Sequence, residues 1–183
     1  MKYACPIVLL ISCHNHEVLD HTDHDLAEAL RIVFYELWMM AETSSRIRSG
    51  RLAKDGVAAN AFLESMLLHA RAATDFFIMD LRYSTDIQRT EFAPEWIPEP
   101  TDAVKRIRAH ISPINKHLAH LTWERLDNES PPWDYNDIAD DILAVAVRWS
   151  AHLRSSEPSL EAIFHPLVVS AQNILNHTPP SAG

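Results

Sequence analysis

Seven side chains suited to proton transfer or anion binding fall within one segment of the sequence, residues 102–125. They are Arg106, Arg108, His110, Asn115, Lys116, His117 and His120. The segment holds five lysines and arginines against two acids, whereas the whole chain has a net charge of −9. Imidazole exchanges protons near neutral pH, and guanidinium groups hold carboxylates or phosphates in a fixed geometry. The pattern predicts an anionic ligand, with Arg106, Arg108, Lys116 and His117 as the anion-binding residues.

An amphipathic helix is the element that would position these groups. Apolar residues recur at alternating spacings of three and four, at Val104, Ile107, Ile111, Ile114, Leu118 and Leu121. Pro113 interrupts the segment, but the apolar rhythm passes through it without a change of phase. We therefore expect one continuous helix, kinked at Pro113 because proline lacks a backbone N–H. A new helix that begins at Ser112-Pro113 is the alternative.

The other apolar patterns predict an all-α fold. The chain has 183 residues, is 47% hydrophobic and contains only three glycines, which argues against strand-rich folds. We expect an up-and-down bundle of four or five helices, with a long proline-rich loop between helices 2 and 3. Besides the central helix, the expected helices run from residue 22 or 23 to Ser49-Gly50, from about 57 to 81, from about 137 to 154, and onwards from Ser156-Glu157-Pro158.

The second helix carries two further polar groups of interest. Arg71 and Asp75 are spaced to pair on one face, and an arginine held beside carboxylates is suited to contact an anion. His69 falls on the apolar stripe, where a core histidine bonded to a neighbour is the simplest interpretation. The loop that follows, residues 82–100, contains three prolines together with Phe92 and Trp96. It predicts an ordered segment pinned by aromatics that covers a site or simply crosses the bundle.

The two ends of the chain are expected to lie outside the folded unit. We expect residues 1–21 to form an N-terminal extension, 22–177 a single helical domain, and 178–183 a disordered tail. Residues 10–13 resemble a lipoprotein cleavage box, but the preceding signal features are weak. A cytoplasmic protein is therefore favoured, with a lipoprotein as the alternative. Cys5 and Cys13 form no disulfide framework, and no apolar run approaches the roughly 20 residues of a membrane span.

Several chemistries are disfavoured by the motifs. The sequence has no phosphate-binding glycine loop, no nucleophile elbow and no paired-cysteine zinc signature. Residues 14–25 are rich in histidine and acids but lack a defined ligand spacing, so a solvated lead-in is expected. Bundle metal centres use Glu-x-x-His pairs on two helices, and none occurs here. We expect neither a metal nor a cofactor.

Two segments resemble the HEPN superfamily of bacterial helical-bundle proteins, in particular its toxin and abortive-infection groups. They are Ile-Asn-Lys-His-Leu-Ala-His at residues 114–120 and the preceding Phe62–Phe77 segment, and the resemblance spans about residues 57–127. In members that cut RNA, a histidine transfers protons and an arginine holds the phosphate across a dimer interface, without metal. His120 and Asn115 match this motif, whereas Ile114 stands where the arginine is expected. Arg71 or Arg108 would have to supply the missing charge.

Two functions follow from the resemblance. One is a non-catalytic module that acts in a bacterial defence or toxin–antitoxin system, either as a dimeric interaction protein or by binding a nucleotide or another anion. The other is a metal-independent ribonuclease or toxin, with His120, Asn115 and Arg71 as its catalytic candidates. Because Ile114 replaces the arginine, the non-catalytic module is favoured. We expect a homodimer formed through the central helix, and a partner protein, RNA or nucleotide as the ligand.

Overall fold

The chain folds as an all-α bundle. The computed structural model describes residues 21–52, 54–80, 83, 85–119 and 133–177. Within that part, 79% of residues are helical and none is in a strand, which confirms the expected fold class. The helices are α1 (Asp23–Arg48), α2 (Gly56–Phe77), α3 (Arg89–Phe92), α4 (Asp102–Ile114), α5 (Tyr135–Ser156) and α6 (Pro158–Asn176), with a π-helical turn (Asn115–Ala119) directly after α4.

Helix α1 begins at the capping box that the sequence predicts. The Thr22 hydroxyl accepts a hydrogen bond from the backbone N–H of Asp25 at 3.2 Å. In return, the Asp25 carboxylate accepts from the Thr22 backbone N–H at 2.9 Å and from its hydroxyl at 2.6 Å. Two N–H groups that the helix start would leave unpaired are thereby satisfied. At the other end, Gly50 takes a left-handed φ of 66° directly after the C-cap Ser49.

The capping box predicts a measurable titration. The hydrogen bonds that Thr22 donates lower the pKa of Asp25 below its ordinary value of 3.8. Thr22→Val keeps the shape but removes the hydroxyl, so the pKa of Asp25 should rise towards 3.8. Because the pKa is depressed on folding, the stabilisation by Asp25 is present above about pH 4 and lost as pH falls through the folded value. Carboxyl NMR titration checks this, with Thr101→Val at the cap of α4 as control. An unchanged midpoint in Thr22→Val would contradict it.

The core is built around a buried aromatic cluster. Trp149 on α5 is fully buried, and its ring centroid lies 5.0–5.9 Å from those of four phenylalanines. These are Phe76, Phe77, Phe92 and Phe164. Most of these ring pairs are edge-to-face, the arrangement that aromatic quadrupoles favour. Helix α1 packs between α2 and α6, and α5 packs against α6, α4 and α2. The aromatic cluster thus joins three of the longer helices, α2, α5 and α6, to the short helix α3.

Helix α4 runs through Pro113 without a break, as expected, so no new helix begins at Ser112-Pro113. Its regular α-helical bonding ends at Ile114, one residue after Pro113, and a single π turn follows directly. Proline supplies no N–H to the helix ladder, so the regular bonding pattern is interrupted in this region. Ile107, Ile111 and Ile114 are buried as the apolar rhythm predicts. The remainder of the expected helix, including His120, lies outside the described residues.

The segment after α2 is anchored by aromatics, as expected. Helix α2 ends at Phe77, four residues earlier than expected, and Ile78 is its C-cap. The short helix α3 then begins with its own capping box, in which the Gln88 backbone N–H donates to Glu91 at 2.9 Å. Phe92 is fully buried in the core, and the half-buried Trp96 packs against His152 with ring centroids 5.4 Å apart. The segment is therefore held against the bundle at both of its aromatic positions.

Candidate ligand-binding site

A cleft of about 890 Å³ opens between α1, α2 and the segment that leads into α3. This volume lies in the usual range for small-molecule sites. The apolar part of its wall comes mostly from α1 and α2, and the polar part from all three elements. The charged and larger apolar residues of its lining are Ile32, Val33, Glu36, Arg71, Asp75, Phe76, Met79, Asp80, Asp86, Ile87 and Arg89. The site exists because α1 and α2 run antiparallel and the following segment folds back over their groove.

Of the two arginines described in this cleft, Arg71 is the more weakly paired. It forms an ion pair with Asp75 on the next turn of α2, but the Nε to Oδ2 distance of 3.9 Å is too long for a hydrogen bond. The Nε itself is shielded from solvent, and within the described part of the chain it has no hydrogen-bond partner. The side chain as a whole is 32% exposed and lines the cleft, so an acceptor that enters the cleft would meet the guanidinium away from its Nε.

Arg89 holds one wall of the cleft in place. One terminal nitrogen of its guanidinium donates to the backbone carbonyl of Met79, and the other donates to Asp80 at 3.1 Å. Its side chain is only 11% exposed. These bonds tie α3 to the end of α2, across the segment that closes the cleft. Arg89 therefore acts on the shape of the site, whereas Arg71 remains available to a ligand.

Glu36 and His69 form a pair at the edge of the same cleft. The Nδ1–H of His69 donates to the Glu36 carboxylate at 2.7 Å, since an ionised carboxylate can only accept. The Tyr35 ring meets the imidazole edge-on, with centroids 5.6 Å apart. His69 is thus a half-buried histidine bonded to a neighbour, in line with its interpretation from the sequence. Glu36 also lines the cleft, so its carboxylate is shared between His69 and the site.

The predicted anion-binding arginines of α4 are engaged within the bundle. Arg106 donates to both carboxylate oxygens of the buried Asp141 on α5, at 2.8 and 2.7 Å. The hydrogen bonds that Arg106 donates to Asp141, together with the negative charge of Asp141, raise the pKa of Arg106. Arg108 donates to the backbone carbonyl of Ile78 at 3.1 Å. An anion that bound Arg106 would compete with a bidentate carboxylate already in place.

The other candidates from the central segment are separated from the cleft. Asn115, Lys116 and His117 lie in the π turn, and the His117 ring lies 6.3 Å from that of Trp133. Lys116 and His117 both make further contacts. None of the three lines the cleft, and His120 lies outside the described residues. Of the proposed catalytic set, the structure places Arg71 in the cleft and Asn115 after α4.

The described residues were compared with the requirements of a metal site and of a membrane-spanning helix. No three of their His, Cys, Asp or Glu side chains are grouped closely enough to hold a metal ion. His21 lies 3.1 Å from Glu91, while most of the histidine-rich tract before α1 lies outside the described part. Over the same ranges, no helix combines the length and apolarity needed to cross a bilayer.

Sequence reasoning identified Arg71 but missed most of the residues around it. Arg71 was recognisable because a neighbouring acid on the same helix marked it as a held cation. Glu36, Asp86 and Arg89 reach the cleft only through tertiary packing, and no spacing in the sequence connects them. No family model, no curated protein and no solved structure matches this chain, and membership of the HEPN superfamily stays a prediction.

Proposed function

We propose that this protein is a non-catalytic helical-bundle module that binds a small anionic ligand through Arg71. The observation that carries the proposal is the partly exposed, weakly paired side chain of Arg71 in the wall of a cleft of about 890 Å³. A carboxylate or phosphate oxygen there would accept a charge-assisted hydrogen bond, which is shorter and stronger than a neutral one. The apolar walls from α1 and α2 would bury the rest of the ligand.

Binding is favoured over catalysis by the side chains around Arg71. The described residues that line the cleft include carboxylates but no Cys, Ser or His, the side chains most often used as nucleophiles or as a neutral-pH base. Asn115 does not line the cleft, so the ribonuclease alternative would need a second copy of the chain to bring Asn115 to Arg71. Ile114, at the expected arginine position, is 1% exposed and belongs to the core.

A role in bacterial defence or in a toxin–antitoxin pair is part of the same proposal and rests on the HEPN resemblance. The expected homodimer through the central helix also stays a prediction. Its apolar side chains on α4 are used inside the bundle, because Ile107, Ile111 and Ile114 are all buried. A dimer that uses α4 would have to employ its polar outer face, which includes Arg108 and Ser112.

Replacing Arg71 tests the proposed function. Calorimetry would use AMP, inorganic phosphate, leucyl-leucine and N-acetyl-leucyl-leucine as probes. At least one should bind the wild-type protein, and Arg71→Gln should weaken that binding about tenfold or more, as expected for loss of a charge-assisted hydrogen bond. Arg31→Gln is the matched control, because Arg31 is 67% exposed and pairs only with Glu28 on its own helix. If no probe binds, or if Arg71→Gln binds as tightly as wild type, the proposal fails.

A further inference from the structure

We infer that the ligand of this cleft is a zwitterion, and specifically a short peptide with a free amino and a free carboxyl terminus. The inference rests on the proposed function, since it assigns the ligand carboxylate to Arg71. It adds a second recognition element, a protonated amine held by carboxylates of the protein. A nucleotide, one of the ligands expected from the sequence, fits the charges of the cleft less well.

The charges around the cleft favour a zwitterion over a polyanion. The described lining contains two arginines and four acids, Glu36, Asp75, Asp80 and Asp86. A polyphosphate would bring several negative charges to a wall in which the described acids outnumber the described bases. A ligand with one carboxylate and one ammonium group meets Arg71 and still supplies a positive charge for the acids. Electrostatic complementarity of this kind selects between ligands of similar shape.

Four charged groups of the lining are already engaged within the wall. Arg89 and Asp80 bind each other, and Arg71 forms a long ion pair with Asp75, which makes a further interaction of its own. Glu36 receives one hydrogen bond from His69, and Asp86 receives one from the Tyr83 backbone N–H at 3.2 Å. A carboxylate offers about four acceptor positions on two oxygens. Glu36 and Asp86 therefore retain acceptor capacity for an ammonium group, just as Arg71 retains donor capacity for a carboxylate.

The uncharged part of the cleft wall is large and mostly apolar. Ile32, Val33, Phe76, Met79 and Ile87 supply apolar surface from α1, α2 and the covering segment. A single amino acid would leave much of an 890 Å³ cleft unfilled, whereas a di- or tripeptide brings apolar side chains as well as both termini. Burial of these side chains would add a nonpolar contribution to the two charged contacts.

The test compares leucyl-leucine with two analogues that each lack one charge. N-acetyl-leucyl-leucine has no ammonium group, and leucyl-leucinamide has no carboxylate. Calorimetry on the wild-type protein should show leucyl-leucine binding about tenfold or more tightly than either analogue, and more tightly than AMP. Arg71→Gln should abolish the preference over the amide. Glu36→Gln should reduce the preference over the N-acetyl analogue.

Controls separate this inference from the proposed function. Asp86→Asn is a second carboxylate variant, used if Glu36→Gln unfolds, and thermal unfolding confirms that each variant is folded. If AMP or the N-acetyl analogue binds as tightly as leucyl-leucine and still depends on Arg71, the zwitterion is wrong and the anion-binding function stands. The inference of a zwitterionic ligand is also wrong if Glu36→Gln and Asp86→Asn both keep the full preference for leucyl-leucine over the N-acetyl analogue. If no probe binds, or binding is indifferent to Arg71, both proposals fail.

Discussion

Trp149→Ala should lower the free energy of unfolding by about 3–5 kcal/mol, the usual cost of deleting a large core aromatic. Trp149 is 0% exposed and packs against four phenylalanine rings contributed by α2, α3 and α6. Alanine would leave a cavity that these rings cannot close without giving up their edge-to-face contacts. The effect should therefore reach the whole bundle and not one helix pair.

Urea unfolding followed by circular dichroism measures this loss. Trp38→Ala is the matched control, because Trp38 on α1 is 37% exposed and lies outside the aromatic cluster. It should cost clearly less than Trp149→Ala. Equal losses for the two variants would show that the buried cluster is not the centre of stability.

The second large effect concerns Ile114→Arg, the change that would restore the arginine of the HEPN motif. We expect it to destabilise the fold by about 3–5 kcal/mol, the cost of an uncompensated charge in a core. Ile114 is 1% exposed and closes the apolar stripe of α4 directly after Pro113. A guanidinium there would lose its hydration without gaining a carboxylate partner.

Ser112→Arg provides the comparison for this variant, since Ser112 is exposed on the same helix two residues earlier. It should change stability little. If Ile114→Arg unfolded at the same urea concentration as wild type, position 114 would have access to solvent. The motif arginine would then be compatible with this bundle, and the ribonuclease interpretation would gain weight.

The parts of the fold that depend on neighbouring residues were predictable from the sequence. The three-four rhythm located the helices, and Thr22 with Asp25 marked the start of α1 because a capping box is a four-residue feature. The burial of Phe92 was likewise foreseeable, since an aromatic residue in a polar, proline-rich loop needs an apolar surface. The predictions of the helices and of the capping box concern contacts within one or two helical turns.

The role of the basic segment could not be predicted in the same way. Its excess of positive charge suggested a ligand site at Arg106, but the partner of Arg106 is Asp141, which lies 35 residues further along the chain. The cleft shows the converse case, in which Glu36, Arg71 and Asp86 come together from three separate elements. The sequence shows which charged groups are present, whereas tertiary packing determines which of them are free to bind a ligand.

The most direct measurement of the central claim follows the Nε–H signals of the arginines by ¹⁵N-resolved NMR, assigned with Arg71→Gln. The titrant is leucyl-leucine or AMP, whichever binds more tightly in calorimetry. We predict that the Arg71 signal shifts along the binding curve because an anion reaches its weakly paired guanidinium, whereas the Arg106 signal, held by Asp141, stays in place. Binding that leaves the Arg71 signal unmoved, or that moves the Arg106 signal instead, would contradict the assignment of this cleft as the ligand site.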